Sequence, residues 1–217
     1  MPQIESRMEP VVNPHRAKVI PLAKRTLTDP QIVDGVRRGD PAAGWALVDR
    51  FGPLIDRRVW RLMGGDSEHR DIVQQVFQQL VGTLHRLDDS QALGAWVEKL
   101  TINVVRKEFR RRKYRRIVQF STVDAEIAMD DATEDVTIEK KVLILRAYDI
   151  LKRMNVEDRI AFTLRFIEEM PLADVAEATG CSLATAKRRI RRGRETFMKK
   201  ARRDPFLVSL TTQDESP

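Results

Sequence analysis

Cysteine is nearly missing from this chain: Cys181 is the only one in 217 residues. No internal disulfide can form, which fits a reducing cytoplasm and a fold held by packing alone. Histidine is scarce too. His15, His69 and His85 stand apart, and with one cysteine they leave no metal-ligand spacing. No apolar run approaches the roughly 20 residues that a membrane-spanning helix needs. The start lacks the charged, apolar and small-residue order of a signal peptide. Phosphate loops, nucleophile elbows and paired catalytic carboxylates are missing, so no catalytic residue, metal or cofactor is expected. Glu168 and Glu169 are adjacent, point in different directions on a helix and read as solvated surface.

Charge is plentiful. There are 39 Lys and Arg against 32 Asp and Glu, a net charge of +7, and the pI is near 9.8. That balance points to a polyanionic partner, and the many acids exclude a simple polybasic tail. A hydrophobic content of 42% suffices for packed cores, and the length allows one or two small domains.

The most informative stretch is PLADVAEATGCSLATAKRRIRRGRETF, residues 171–197. Leu172, Val175 and Ala176 recur at helical spacing. Gly180 suits a left-handed helix end, and Ser182 can cap a second helix. At about 100° per residue, Leu183, Ala186 and Ile190 share the back of that second helix. Thr185, Lys187, Arg188, Arg191 and Arg192 share the front. A basic, hydrogen-bonding front on an apolar back suits a helix entering the major groove. A solvated basic helix gives the same charge run, and the helix-turn-helix spacing favours DNA.

Residues 1–27 carry Pro2, Pro10, Pro14 and Pro21 and read as a mobile arm. A helix opens at Thr28-Asp29-Pro30 with Ile32, Val33 and Val36 on one side. Gly39-Asp40-Pro41 starts a second, whose apolar residues are Trp45, Val48, Phe51, Ile55, Val59 and Leu62. A third spans about Glu68 to Leu84. Opposite its apolar face, Asp71, Gln74, Gln75 and Gln78 form a row at i, i+3, i+4 and i+7. That row reads equally as a docking stripe or an ordinary wet face.

Arg86 to Gln91 is a polar loop. A fourth helix, about Ala92 to Lys113, has a core face of Leu93, Trp96, Val97, Leu100 and Val104. Lys99, Asn103, Arg106, Arg110 and Lys113 make a cationic ridge beside it, fit to follow a nucleic-acid backbone. Tyr114 to Gln119 continues basic; the composition then turns acidic, with Asp124, Glu126, Asp130, Asp131, Glu134 and Asp135, and residues 114–138 read as a linker. Two helices follow, near Ile138–Met154 and Ile160–Met170, the latter with Phe162, Leu164 and Phe166. The helix-turn-helix comes next, and Asp204-Pro205 opens a frayed tail.

This order of parts resembles the extracytoplasmic-function group of bacterial sigma-70 factors, over roughly Thr28 to Arg203. DIVQQVFQQLV from Asp71 is similar to the family's core-binding helix. WVEKLTINVVRKEFRRRKYRR from Trp96 is similar to its −10 segment, and PLADVAEATGCSLATAKRRIRRGRE to its −35 reader. The resemblance implies an all-α chain of two small helical domains, 28–113 and 139–203, between an arm, an acidic linker and a tail. It implies that Asp71, Gln74, Gln75 and Gln78 meet the β′ clamp helices of core RNA polymerase, although the family usually has an acid where Gln75 stands. It implies a base pocket at Arg86, Asp88, Asp89, Ser90 and Gln91, with Lys99, Asn103, Arg106, Arg110 and Lys113 along the −10 strand. Ser182, Thr185, Lys187, Arg188, Arg191 and Arg192 would face the −35 element. Core polymerase (β′ and β), promoter DNA and an anti-sigma factor are the partners it implies. Two rival readings are a free-standing helix-turn-helix regulator and a protein-binding adaptor.

Overall fold

The computed structural model describes residues 27–64, 67–119 and 138–208. Among the described residues the chain is helical, with no strands. The arm, the acidic linker and the tail fall, apart from their edges, outside these residues.

Four helices build the first module: α1 (Asp29–Arg37), α2 (Pro41–Met63), α3 (His69–Thr83) and α4 (Leu93–Gln119). The starts follow the local chemistry. The Thr28 amide donates to Gln31 Oε1 at 2.9 Å, and Pro30 sits in the first turn of α1. Asp40 caps α2 by accepting from the Ala42 amide at 2.9 Å. Leu47, Phe51, Ile55, Val59 and Leu62 of α2 meet Ile72, Val76 and Leu80 of α3 and Val97, Ile102, Val105 and Phe109 of α4.

Of the apolar residues of the second helix, Trp45 stays out of the core and is 68% exposed, and Val48 is also exposed. The buried stripe of α2 runs Ala43, Leu47, Phe51, Ile55. Trp45 lies two residues from Leu47, about 160° round the helix, so it faces solvent. The fourth helix, expected to close near Lys113, continues to Gln119.

The second module comprises α5 (Ile138–Lys152), α6 (Val156–Phe162), α7 (Leu172–Thr179) and α8 (Leu183–Ala201). The helix expected over Ile160–Met170 breaks after Phe162 into a π-turn, Thr163–Ile167. The wider turn shifts the helical register, burying Leu164 and exposing Phe166. Gly180 ends α7 at φ 66°, as the helix-turn-helix reading requires. On α8 the back is Ala186 and Gly193, with Ile190 and Phe197 packed beside them. Leu183 is a correction: it is 55% exposed, because it opens the helix one residue after the turn and nothing packs over it. Asp204 caps a further short turn by accepting from the Phe206 amide at 3.0 Å, and Arg146 binds it at 3.1 Å.

The modules share one apolar core. Ile160, Ala161, Leu164, Val175, Ala176, Ala178 and Ala186 join the cluster of α1–α4. Tyr148, Leu151, Met154 and Phe162 form a smaller one. Polar contacts line the seam. Arg159 stacks over Phe109, 4.1 Å from its centroid, and donates to the carbonyls of Leu62 (2.6 Å) and Met63 (3.3 Å) at the end of α2. Tyr148 donates to the Arg61 carbonyl at 2.8 Å, and burial pushes its phenol up to about 12. Gly64 has φ 80°, and a Cβ there would stand 2.3 Å from the Tyr148 ring. No other residue type fits both constraints.

Glu168, expected to be solvated, has a side chain only 4% exposed and lies 3.7 Å from Arg58 and 3.5 Å from Arg61. The reason is tertiary: the π-turn carries it against α2.

Candidate nucleic-acid interface

Four surfaces carry the residues singled out by the sequence. The first is a cleft of about 430 Å³ beside α3. Asp71, Gln74, Gln75 and Gln78 line it together, so the row is a concave wall. The opposite wall is Arg111 and Arg115 of α4, with Glu68 at the end. Asp71, Gln74 and Gln78 are exposed and Gln75 is half-buried.

Sequence reasoning missed what holds that second wall. The Glu108 carboxylate is 3% exposed. It accepts from Arg111 at 2.6 and 3.0 Å, from Arg112 at 2.8 Å and from Arg115 at 3.4 Å. Glu68 takes a further bond from Arg112 at 2.8 Å. Burial pushes the Glu108 carboxyl up, but bonds and charge from Arg111 and Arg112 outweigh it and hold the group below the usual carboxylate range. The signal was an acid followed by arginines at i+3, i+4 and i+7.

The second surface is the loop between α3 and α4. Leu84, Leu87 and Leu93 anchor it in the core. Arg37 of α1 donates to the carbonyls of Leu87 and Leu84, a brace that sequence spacing did not reveal. Asp89 accepts from the Gln91 amide at 2.9 Å. Arg86, Asp88, Asp89 and Gln91 therefore stand exposed on a fixed frame, with Ser90 half-buried.

The α4 ridge is the third. Lys99, Asn103, Arg110 and Lys113 are exposed. Arg106 is not: its side chain is 15% exposed. It donates to Asn103 Oδ1 and, at 3.0 Å, to the Thr179 carbonyl of the second module.

The fourth surface is α8. Ser182 Oγ accepts from the Thr185 amide at 3.3 Å, with Thr185 half-buried. Directly opposite buried Ala186 stand Arg188 and Arg191, and Lys187 flanks them; all three are exposed. Arg192 is turned aside, donating to both Asp158 oxygens at 2.8 and 3.1 Å. Among the described residues no cluster of His, Cys, Asp and Glu could hold a metal. No helix there is long and apolar enough to cross a membrane.

Known proteins match the two modules in the same order. The family model "Sigma-70 region 2" matches residues 47–115, and "Sigma-70, region 4" matches residues 139–197. Together they cover more than half of the chain. The ECF RNA polymerase sigma factor SigW of Bacillus subtilis is 25% identical over 77% of this chain and 93% of its own. The RNA polymerase sigma-H factor of Pseudomonas aeruginosa is 26% identical over 79% of this chain and 92% of its own. The solved structure of CnrH in complex with the cytosolic domain of CnrY superposes with a TM-score of 0.55. It covers 81% of this chain and 98% of CnrH at 19% identity, a likeness of fold.

Proposed function

This chain belongs to the extracytoplasmic-function group of the sigma-70 family, and from that premise we infer that its four surfaces divide the work of starting transcription. The α3 cleft takes the β′ clamp helices of core polymerase through Asp71, Gln74, Gln75 and Gln78. The front of α8 enters the −35 major groove, where Lys187, Arg188 and Arg191 meet phosphates and base edges. Lys99, Asn103, Arg106, Arg110 and Lys113 follow the −10 strand, and the braced loop 86–91 receives an unstacked base. Extracting that base costs a few kcal/mol, which pocket contacts offset. Nucleotide addition belongs to the polymerase. An anti-sigma factor regulates the protein, which works in the cytoplasm.

The observation that carries this reading is that one chain holds both modules in the family order. A free-standing regulator needs the helix-turn-helix alone and leaves the α3 cleft without a task. The test is run-off transcription with purified core polymerase on a promoter library. The expected result is defined start sites that need both core and this protein. Tight duplex binding by the protein alone, with no start on any template, overturns it.

A further inference from the structure

One carboxylate gathers cations from three turns of the molecule. Glu157, at the start of α6, lies 3.2 Å from Arg106 Nε and 2.9 Å from Arg110 Nη2, both on α4. It also lies 3.2 Å from Arg189 Nη1 on α8. Asn155 fixes it, accepting from the Glu157 amide at 3.0 Å. Beside it the Thr179 carbonyl accepts from Arg106. Lys99 runs within 3.7 Å of where a Cβ on Gly180 would be. The second module thus lays an anionic group and a carbonyl along the middle of the ridge.

We propose that the second module is an internal ligand of the α4 ridge, with Glu157 standing in for a nucleic-acid phosphate. Guanidinium groups bind carboxylate and phosphate with the same fork of donors, so one can replace the other. While the seam is closed, Arg106 is taken and Asn103 Oδ1 is occupied by it. A strand still reaches Lys99 and Lys113, but the Arg106 head is covered and the Arg110 head, though exposed, is paired with Glu157. Engagement of the full ridge requires α6 and α7 to leave α4, so the closed chain is a self-occluded state. This rests on the reading of α4 as the strand-binding ridge. It adds that the chain carries its own competitor.

The test uses the full chain and fluorescent single-stranded oligo(dT) at low salt. Glu157→Gln keeps the shape and removes the charge, and is expected to bind about three- to tenfold tighter. Asp174→Asn, an exposed acid of the same module, controls for net charge and should change binding little. In an Arg106→Ala, Arg110→Ala background the gain from Glu157→Gln should fall to that of the control. Spin labels at Lys107 and Lys199, with Cys181→Ser, should give one inter-module distance for the parent. Glu157→Gln should add a second, longer one. A gain no larger than the control's, a gain that survives in the double-alanine background, or an unchanged distance distribution overturns the clasp. Oligo(dT) binding by no variant would instead count against α4 as the strand ridge, and the distance measurement would still decide the clasp.

Discussion

Single residues fix the chemistry of each surface, and Glu108 is the clearest. It is buried, yet it is held below the usual carboxylate range by arginines of its own helix. A carboxyl whose folded value is lowered stabilises the fold above its unfolded value, near 4.5, and loses that contribution as pH falls through the lower folded value. Glu108→Gln should therefore cost about 1–3 kcal/mol at neutral pH. Urea melts should show the gap from the parent narrowing as pH drops below that range. A gap independent of pH would mean that packing, not charge, is lost. On α8, Arg188→Ala should cost about 1–3 kcal/mol on the preferred −35 sequence and much less on others, measured by competition binding. An equal loss on every sequence makes Arg188 a phosphate contact. The exposed front of α8 was legible in the sequence, because its period separates Arg188 and Arg191 from Ala186 by half a turn. Arg192 was not, since its partner Asp158 is far along the chain.

At the scale of elements, legibility follows how local the determinant is. The starts of α1, α2 and α8 rest on Gln31, Asp40 and Ser182, each within three residues of its acceptor or donor. The row on α3 was visible as spacing alone. What the spacing could not say is that Arg111 and Arg115 face it across a cleft, which turns a wet face into a concave wall. The π-turn after α6 was invisible, because Thr163–Ile167 has ordinary helix formers and its register shift is tertiary. The α3 wall carries its own prediction. Gln74→Ala with Gln78→Ala should weaken association with core polymerase roughly tenfold, the loss of about 1.4 kcal/mol. Binding to isolated duplex DNA should stay at the parental level. Unchanged co-purification with core would remove the cleft from the polymerase interface.

The whole molecule is decided by its seam, and the seam was the least legible part. Read locally, Arg58, Arg61, Arg159 and Glu168 are charged residues that belong on a surface. Each has a partner on the other side of the acidic linker, although Arg58 also pairs with Glu98 of its own module: Arg159 and the Leu62 carbonyl are separated by 97 positions. Isolated charges stay in water, but paired charges with stacked or capped heads can be buried between modules. The end of α2 needs donor partners for its last carbonyls, and the second module supplies Arg159 and Tyr148 to meet that need. Arg159→Ala leaves the Leu62 and Met63 carbonyls without that donor and removes the cation over Phe109. It should destabilise the closed chain by about 1–3 kcal/mol. Arg159→Lys should not restore it, since an ammonium cannot lay a flat guanidinium plane over the Phe109 ring. Trp60 sits 6.2 Å from Tyr148, edge to face across the seam, so its fluorescence reports opening. Urea titration of Arg159→Ala should show a Trp60 change ahead of the loss of helicity by circular dichroism. Coincident transitions at the parental midpoint would mean that Arg159 does not hold the modules together.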